Sequence, residues 1–119
     1  MLIHKKEDYI LIKPSLKFLG VAFPPDSDDD FWVVLSAEIG EEGSKGVDVF
    51  YFNLTTPKRL MYVLQNQKAV FKRGLIIVDK YDYETAKKII QDIILECKGE
   101  TWHEVRSNIM KYCMSEYGD

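Results

Sequence analysis

The residues that most often carry out catalysis or hold metal ions are few in this chain. The two histidines are His4 and His103, and the two cysteines are Cys97 and Cys113. Structural zinc sites use four ligands with tight pairs such as C-x2-C, whereas Cys97, His103 and Cys113 are six and ten residues apart. Neither histidine lies in a pattern that pairs a base with a nucleophile. We therefore predict a non-enzyme with no catalytic residue, no cofactor and no metal.

Carboxylates are abundant, and they are concentrated in one segment. Asp26, Asp28, Asp29 and Asp30 follow one another in a stretch that Pro24 and Pro25 mark as a loop. The run lacks the glycine and the bidentate glutamate of an EF-hand calcium loop, which leaves a weak divalent-cation site as the alternative. Exposed neighbouring carboxylates also lack the apolar burial that separates the pKa values of an acid and a base. The pattern favours binding over catalysis.

Basic residues are absent around these acids. No Lys or Arg occurs at the 27 consecutive positions from Phe18 to Ser44, although the chain contains 16 of them. A surface of one charge sign accelerates association with an oppositely charged partner and orients it. We therefore predict a protein-binding surface that includes the acids and Trp32. The alternative for the acids is a solvated surface loop without a partner, and the alternative for Trp32 is burial under a helix. The predicted residues of this surface are Asp28, Asp29, Asp30, Trp32, Glu41 and Glu42.

Composition narrows the class of protein. The chain has 119 residues, 46% of them hydrophobic, and a net charge of −3, so it lacks the basic excess of a general nucleic-acid binder. It has no apolar run of the ~18 to 20 residues that span a membrane, and charges at Lys5–Asp8 replace the apolar stretch of a signal peptide. We expect one domain over residues 1–119 in a reducing cytoplasm, with no nucleic-acid or membrane partner. Two buried thiols are expected, with one disulfide as the alternative.

Apolar periodicity predicts the strands. Runs at 15–20, 31–39, 47–54 and 69–78 are typical of β-structure, and the glycine-rich turn 40–46 predicts an antiparallel hairpin. One face of the second strand carries apolar residues at alternate positions, namely Phe31, Val33, Leu35, Ala37 and Ile39.

Capping residues predict three helices. The first helix is expected to begin at Thr56, which precedes Pro57, and the second at Asp82. The third is expected to begin at Thr101, which forms a capping box with Glu104, and Gly99 is expected to end the second helix. The expected buried stripes are Leu60, Val63 and Leu64, then Ala86, Ile89, Ile90, Ile93, Ile94 and Cys97, then Trp102, Val105, Ile109 and Tyr112. We predict an α+β fold, an antiparallel β-meander of three to four strands with about three helices packed on one face.

The order of several short motifs adds a family resemblance. The motifs are Gly40–Gly43, Thr56–Leu60 after an aromatic strand, Leu75–Val78 followed by Tyr81–Tyr83, and Gly99–Glu104. From about Phe31 to the C-terminus this order resembles the eighth numbered immunity-protein family of bacterial polymorphic toxin and contact-dependent growth inhibition systems. Such proteins have an aromatic and acidic C-terminus with a tryptophan. Met114–Tyr117 keeps the acid and the tyrosine but lacks the tryptophan.

The resemblance implies a function and a partner. It implies an immunity protein that binds a cognate toxin domain in the producing cell and neutralises it by direct contact. The acidic segment adds that the toxin could be a nuclease, because nucleases have basic surfaces that attract phosphate. The alternatives are an adaptor or regulatory protein-binding module and, with less support, a small metal-dependent hydrolase. Toxin identity and oligomeric state are left open.

Overall fold

The structure is a computed structural model that describes residues 11–116. This part of the chain forms one mixed sheet of five strands, in which the first three make an antiparallel meander. The fourth strand runs parallel to β3 and the fifth antiparallel to it, both along the edge of β3 that faces away from β2. The strands are β1 (Pro14–Val21), β2 (Trp32–Glu41), β3 (Asp48–Thr55), β4 (Leu75–Ile77) and β5 (Met114–Ser115). The α+β class and the meander are confirmed.

Three helices occur in the described residues, and each begins where its capping residue predicts. They are α1 (Pro57–Gln67), α2 (Tyr83–Ile94) and α3 (Trp102–Ile109). The Thr56 hydroxyl accepts a hydrogen bond from an amide in the first turn of α1, and Thr101 does the same for α3 at 3.1 Å. The Asp82 carboxylate accepts from two amides of α2. Each bond satisfies an amide that has no partner within its own helix.

One face of the sheet, the covered face, forms the core with α2 and α3. Cross-strand pairs align Leu35 with Phe52 and Ala37 with Phe50, and all four side chains are buried. The helices add buried apolar residues to the same cluster: Ala86, Ile90, Ile94, Val105 and Ile109. Tyr83 fixes α2 to the sheet because its hydroxyl donates to the carbonyl oxygen of Leu19, in β1, at 2.6 Å.

The opposite side, the outer face, carries the alternate residues of the same strands. From the pairings these are Phe18, Trp32, Val34, Ser36, Glu38, Val49, Tyr51, Asn53 and Met114. Helix α1 has no buried residue, so the expected stripe of Leu60, Val63 and Leu64 does not enter the core. Its Val63 and Gln67 line a cleft with Trp32 at one end of the outer face.

The strand predicted at residues 69–78 is much shorter in the structure. It covers only Leu75–Ile77, because Lys68 and Gly74 both have positive φ, at 67° and 84°, and bend the chain before it reaches the sheet. A Cβ on Gly74 would lie 3.3 Å from the backbone of Cys113, so this position also needs glycine for the close approach of β4 and β5 to β3. Apolar composition alone overestimated the strand.

The ends of α2 and α3 also differ from the prediction. Helix α2 ends at Ile94, and Gly99 instead forms an isolated bridge with Ile12. A Cβ on Gly99 would lie 3.0 Å from the Glu104 side chain, so the glycine allows close packing and does not end the helix. Tyr112 follows α3 and is exposed, while His4 and Tyr117 lie outside the described residues.

Candidate protein-binding surface

The acidic loop, residues 26–30, is anchored to the elements around it. The carbonyl oxygen of Asp28 accepts a hydrogen bond from the Tyr81 amide at 2.6 Å. The Thr55 hydroxyl donates to the carbonyl oxygen of Phe31 at 2.8 Å, and the Phe31 and Tyr81 rings meet edge to face at 5.6 Å. Burial raises the pKa of Tyr81, and the nearby Tyr83 raises it further. The loop is therefore held in one arrangement.

The aspartates in this loop divide into two roles. Asp30 is half-buried, and its carboxylate lies 2.8 Å from Nε of Arg59. The guanidinium carbon Cζ of Arg59 lies 5.1 Å from the centre of the Tyr62 ring. Asp28 and Asp29 are exposed. The charge of Asp30 is thus offset by Arg59 and secures α1 to the loop, whereas Asp28 and Asp29 present negative charge to solvent.

The second acidic group is the hairpin turn between β2 and β3. Glu41 and Glu42 are exposed there, and the amide of Ser44 donates to the carbonyl oxygen of Glu41 at 2.9 Å to close the turn. Gly43 has a φ of 84°, and a Cβ on Gly40 would lie 1.9 Å from the carbonyl oxygen of Gly46. Two glycines therefore make this turn tight enough to hold both acids at the end of the sheet.

The structure does not bring the predicted acids together. Strand β2 has ten residues between the acidic loop and the acidic turn, which at ~3.3 Å per residue separates the two groups by about 30 Å. Glu38 is half-buried on the outer face between them. The predicted acids therefore form two separate groups, one at each end of β2.

Trp32 lies beside the acidic loop, where it is half-buried. Its indole N–H donates to the side-chain oxygen of Asn53 at 2.9 Å. The ring lies between two clefts, one formed with Val63 and residues 69–72 and the other with residues 22–23 and 33–34. The second cleft opens beside Val34. Trp32 thus combines a partly covered ring with a position at the border of the open part of the outer face.

The sequence interpretation missed the exposed apolar residues of the outer face. Phe18, on the edge strand β1, is 56% exposed, and Val34, near the start of β2, is 53% exposed. The available signal was that Trp32 and Val34 make β2 apolar on both faces, whereas the predicted helices covered one. Basic residues lie at the other side of this face, where Lys72, Arg73 and Lys111 surround Met114.

Comparison with known proteins assigns the chain to a family. The family profile described as Immunity protein 8 matches residues 15–119. The chain belongs to the Immunity protein 8 family. The match begins well before Phe31, so the acidic loop and nearly all of β1 lie within the region that defines the family. Comparisons with curated proteins and with solved structures gave no match.

Membership of the Immunity protein 8 family supports an immunity-type role for this chain. Within residues 11–116, no three His, Cys, Asp or Glu side chains are grouped so that they could hold a metal ion. Cys97 and Cys113 are both buried and not joined by a disulfide, and His103 is exposed on α3. No helix in this part of the chain is long and apolar enough to cross a membrane.

Proposed function

We propose that this protein binds a cognate toxin domain directly and neutralises it in the cell that produces both. The observation that carries the proposal is the Immunity protein 8 match over residues 15–119. A stoichiometric inhibitor needs only a complementary surface, and the described residues offer two acidic ends and an open sheet face. A toxin with a basic active surface, such as a nuclease, would suit these charges.

We assign the contact surface to the acids and the tryptophan named above, with distinct roles. Asp28, Asp29, Glu41 and Glu42 are exposed and supply attraction. Asp30 acts through its ion pair with Arg59, which fixes the loop. Trp32 contributes a half-buried aromatic surface beside the loop. The two acidic groups lie at opposite borders of the contact and attract the toxin independently.

Co-expression tests the function itself. We expect the cognate toxin domain to be encoded beside the gene for this chain, and that domain is expressed in bacteria alone and with this protein. We expect growth arrest in the first case, restored growth in the second, and a stable complex on purification. Arrest that persists despite folded, abundant protein would contradict the proposal and favour an adaptor or regulatory binding module.

Charge reversal tests the acidic loop. Asp28→Lys with Asp29→Lys should slow association with that toxin domain about tenfold or more at low salt, and much less at high salt, because screening removes long-range attraction. Stopped-flow measurements at two ionic strengths give these rates.

The matched control for this experiment changes the net charge equally but elsewhere. Glu96→Lys with Glu100→Lys alters exposed acids beyond the end of α2. Its association rate should stay within about twofold of wild type if attraction is local. Equal slowing in both double variants would show an effect of overall charge and would remove the loop from the mechanism.

A further inference from the structure

The loop between α1 and β4, residues 68–74, places a fully exposed phenylalanine beside basic residues. Phe71 is 100% exposed, and it borders an open cleft of about 780 Å³. The residues that line this cleft, here called the basic cleft, are Phe71, Lys72, Arg73, Lys111 and Met114. Its size lies within the ~300–1,000 Å³ typical of sites that enclose ligands. The basic cleft thus combines apolar surface with positive charge.

The charge of the basic cleft is of one sign. Lys72 and Lys111 are exposed, and Arg73 is half-buried. Within the part of the chain that the structure describes, no acidic side chain lines the cleft. The fold brings these cations together from two distant segments, the α1–β4 loop and the end of α3. Because like charges repel at short range, an anionic partner is favoured here.

The loop around the phenylalanine is held at both ends. Lys68 follows α1 with a φ of 67°, and its amide donates to a carbonyl oxygen in the last turn of that helix at 3.0 Å. The carbonyl oxygen of Gly74 accepts from the amide of Asn53 at 2.8 Å. Between these points, a terminal guanidinium nitrogen of Arg73 lies 2.8 Å from Sδ of Met114. A loop that is fixed before binding loses little conformational entropy on association.

The basic cleft adjoins the surface already assigned to the toxin. Phe71 and Lys72 line it on one side, and they also line the cleft that contains Trp32. Trp32 is one of the residues assigned to the contact surface, so a partner that covers its ring reaches the phenylalanine as well. Exposed aromatic side chains that a partner covers often dominate binding energy. The two clefts therefore form one continuous surface.

Charge also distinguishes among the possible occupants. A two-fold contact of the basic cleft with itself would place lysine against lysine. A contact with the acidic loop of a second copy would join copies head to tail into rings or open chains, and would occupy Asp28 and Asp29. Nucleic acid is disfavoured because the chain has a net charge of −3. An acidic segment of the toxin has none of these disadvantages.

We propose that the basic cleft binds an acidic segment of the toxin domain. An apolar side chain of that segment packs against Phe71, and its carboxylates lie beside Lys72 and Lys111. This inference rests on the proposed function and deepens it, because the toxin is then basic where it meets Asp28 and Asp29 and acidic where it meets the cleft. Complementary charges of both signs fix the orientation of a partner and also attract it.

Charge reversal tests the basic side chains. Lys72→Glu with Lys111→Glu should raise the Kd for the cognate toxin domain about tenfold or more, because like charges then face the acidic segment. The matched control is Lys88→Glu with Lys98→Glu, which alters two exposed lysines on and beyond α2. It should change the Kd less than about twofold if the attraction is local.

Truncation tests the aromatic side chain separately. Phe71→Ala should raise the same Kd about tenfold or more. It should leave the urea midpoint unchanged, because the side chain is fully exposed and supports no core. The matched control is Leu95→Ala, which truncates a side chain that is 61% exposed at the end of α2. Isothermal titration calorimetry gives the Kd of each variant.

The outcomes separate this inference from the function. If wild type binds the toxin domain and both cleft variants bind equally well, the inference is wrong and the proposed function stands. If folded wild type does not bind, the proposed function fails, and the inference with it. If the double lysine variant loses binding to a single-stranded oligonucleotide but keeps its Kd for the toxin, nucleic acid occupies the cleft. If the same variant dissociates a wild-type dimer, a second copy does. Either result overturns the inference.

Discussion

The covered face and the outer face are built from the same strands but differ in what holds them. On the covered face, Phe50 and Phe52 are completely buried beneath α2 and α3. On the outer face, Val34 and Phe18 stay more than half exposed, and α1 reaches only one end. The covered face thus supplies the buried core, whereas much of the outer face stays partly exposed. The difference suggests that stability and binding are assigned to opposite sides of a single sheet.

The largest expected effect comes from truncating one apolar side chain on each face of the sheet to alanine. Phe52→Ala should lower the free energy of unfolding by about 3 to 5 kcal/mol, because it leaves a cavity in a filled core. Val34→Ala, on the strand paired with it, should cost less than about 1 kcal/mol because its side chain is already half exposed. Urea denaturation gives both values. Similar losses in the two variants would show that the outer face also carries stability.

A second comparison uses one tryptophan from each face. The indole N–H of Trp32 donates a hydrogen bond to the side chain of Asn53, a residue that is only 4% exposed. The indole N–H of Trp102 donates to the half-buried carboxylate of Asp48 at 2.7 Å. The same carboxylate lies 3.8 Å from Nε of Arg106. Trp32→Phe should cost about 1 to 3 kcal/mol beyond lost packing, because it leaves a buried amide oxygen without its donor. Trp102→Phe should cost less, because water and Arg106 still reach the carboxylate.

Denaturation of both phenylalanine variants under identical conditions tests this order. A larger loss for Trp102→Phe would mean that the charged acceptor matters more than burial of the neutral one.

The smallest expected effect is a dependence on pH that belongs to the covered side. Burial raises the pKa of the Cys97 thiol, an effect that Lys111 opposes and Glu96 reinforces. The folded protein therefore keeps this proton at pH values where the unfolded chain loses it. Stability from this group is complete below the ordinary thiol pKa of about 8.5 and falls as pH rises above it.

Cys97→Ala isolates this contribution. The variant loses packing at every pH, but it also loses the thiol that destabilises the fold in alkali. The difference in unfolding free energy between wild type and variant should therefore be smaller at pH 10 than at pH 7. A constant difference across this range would show that Cys97 ionises equally easily in both states.

Local chemistry was well predicted from the sequence, and long-range arrangement was not. Each helix start depends on one side chain and an amide two or three residues away, so Thr56, Asp82 and Thr101 could be recognised directly. The length of β4 depends on where β3 and β5 allow the chain to approach: Gly74 indicated a bend within residues 69–78, but not that the strand begins only after it.

The binding surface illustrates the same limit. Asp28, Asp29, Glu41 and Glu42 form one acidic interval in the sequence, but an extended strand between them turns that interval into two separate ends. Phe18 and Val34 were ordinary strand residues until the positions of the helices were known. Which face of a sheet stays open is decided by the helices that pack against it, which periodicity within one strand cannot reveal.

The anchoring of the acidic loop has a consequence for the order of synthesis. Asp28 and Asp30 leave the ribosome early, but the groups that hold them, Arg59 and the amide of Tyr81, follow much later in the chain. A nascent or truncated chain that stops before Tyr81 carries every acid of the loop without the shape that arranges them. Because translation proceeds from the N-terminus, the aspartates of the loop are synthesised before the residues that fix their arrangement. The acidic loop therefore takes its folded arrangement only after Tyr81 has been synthesised.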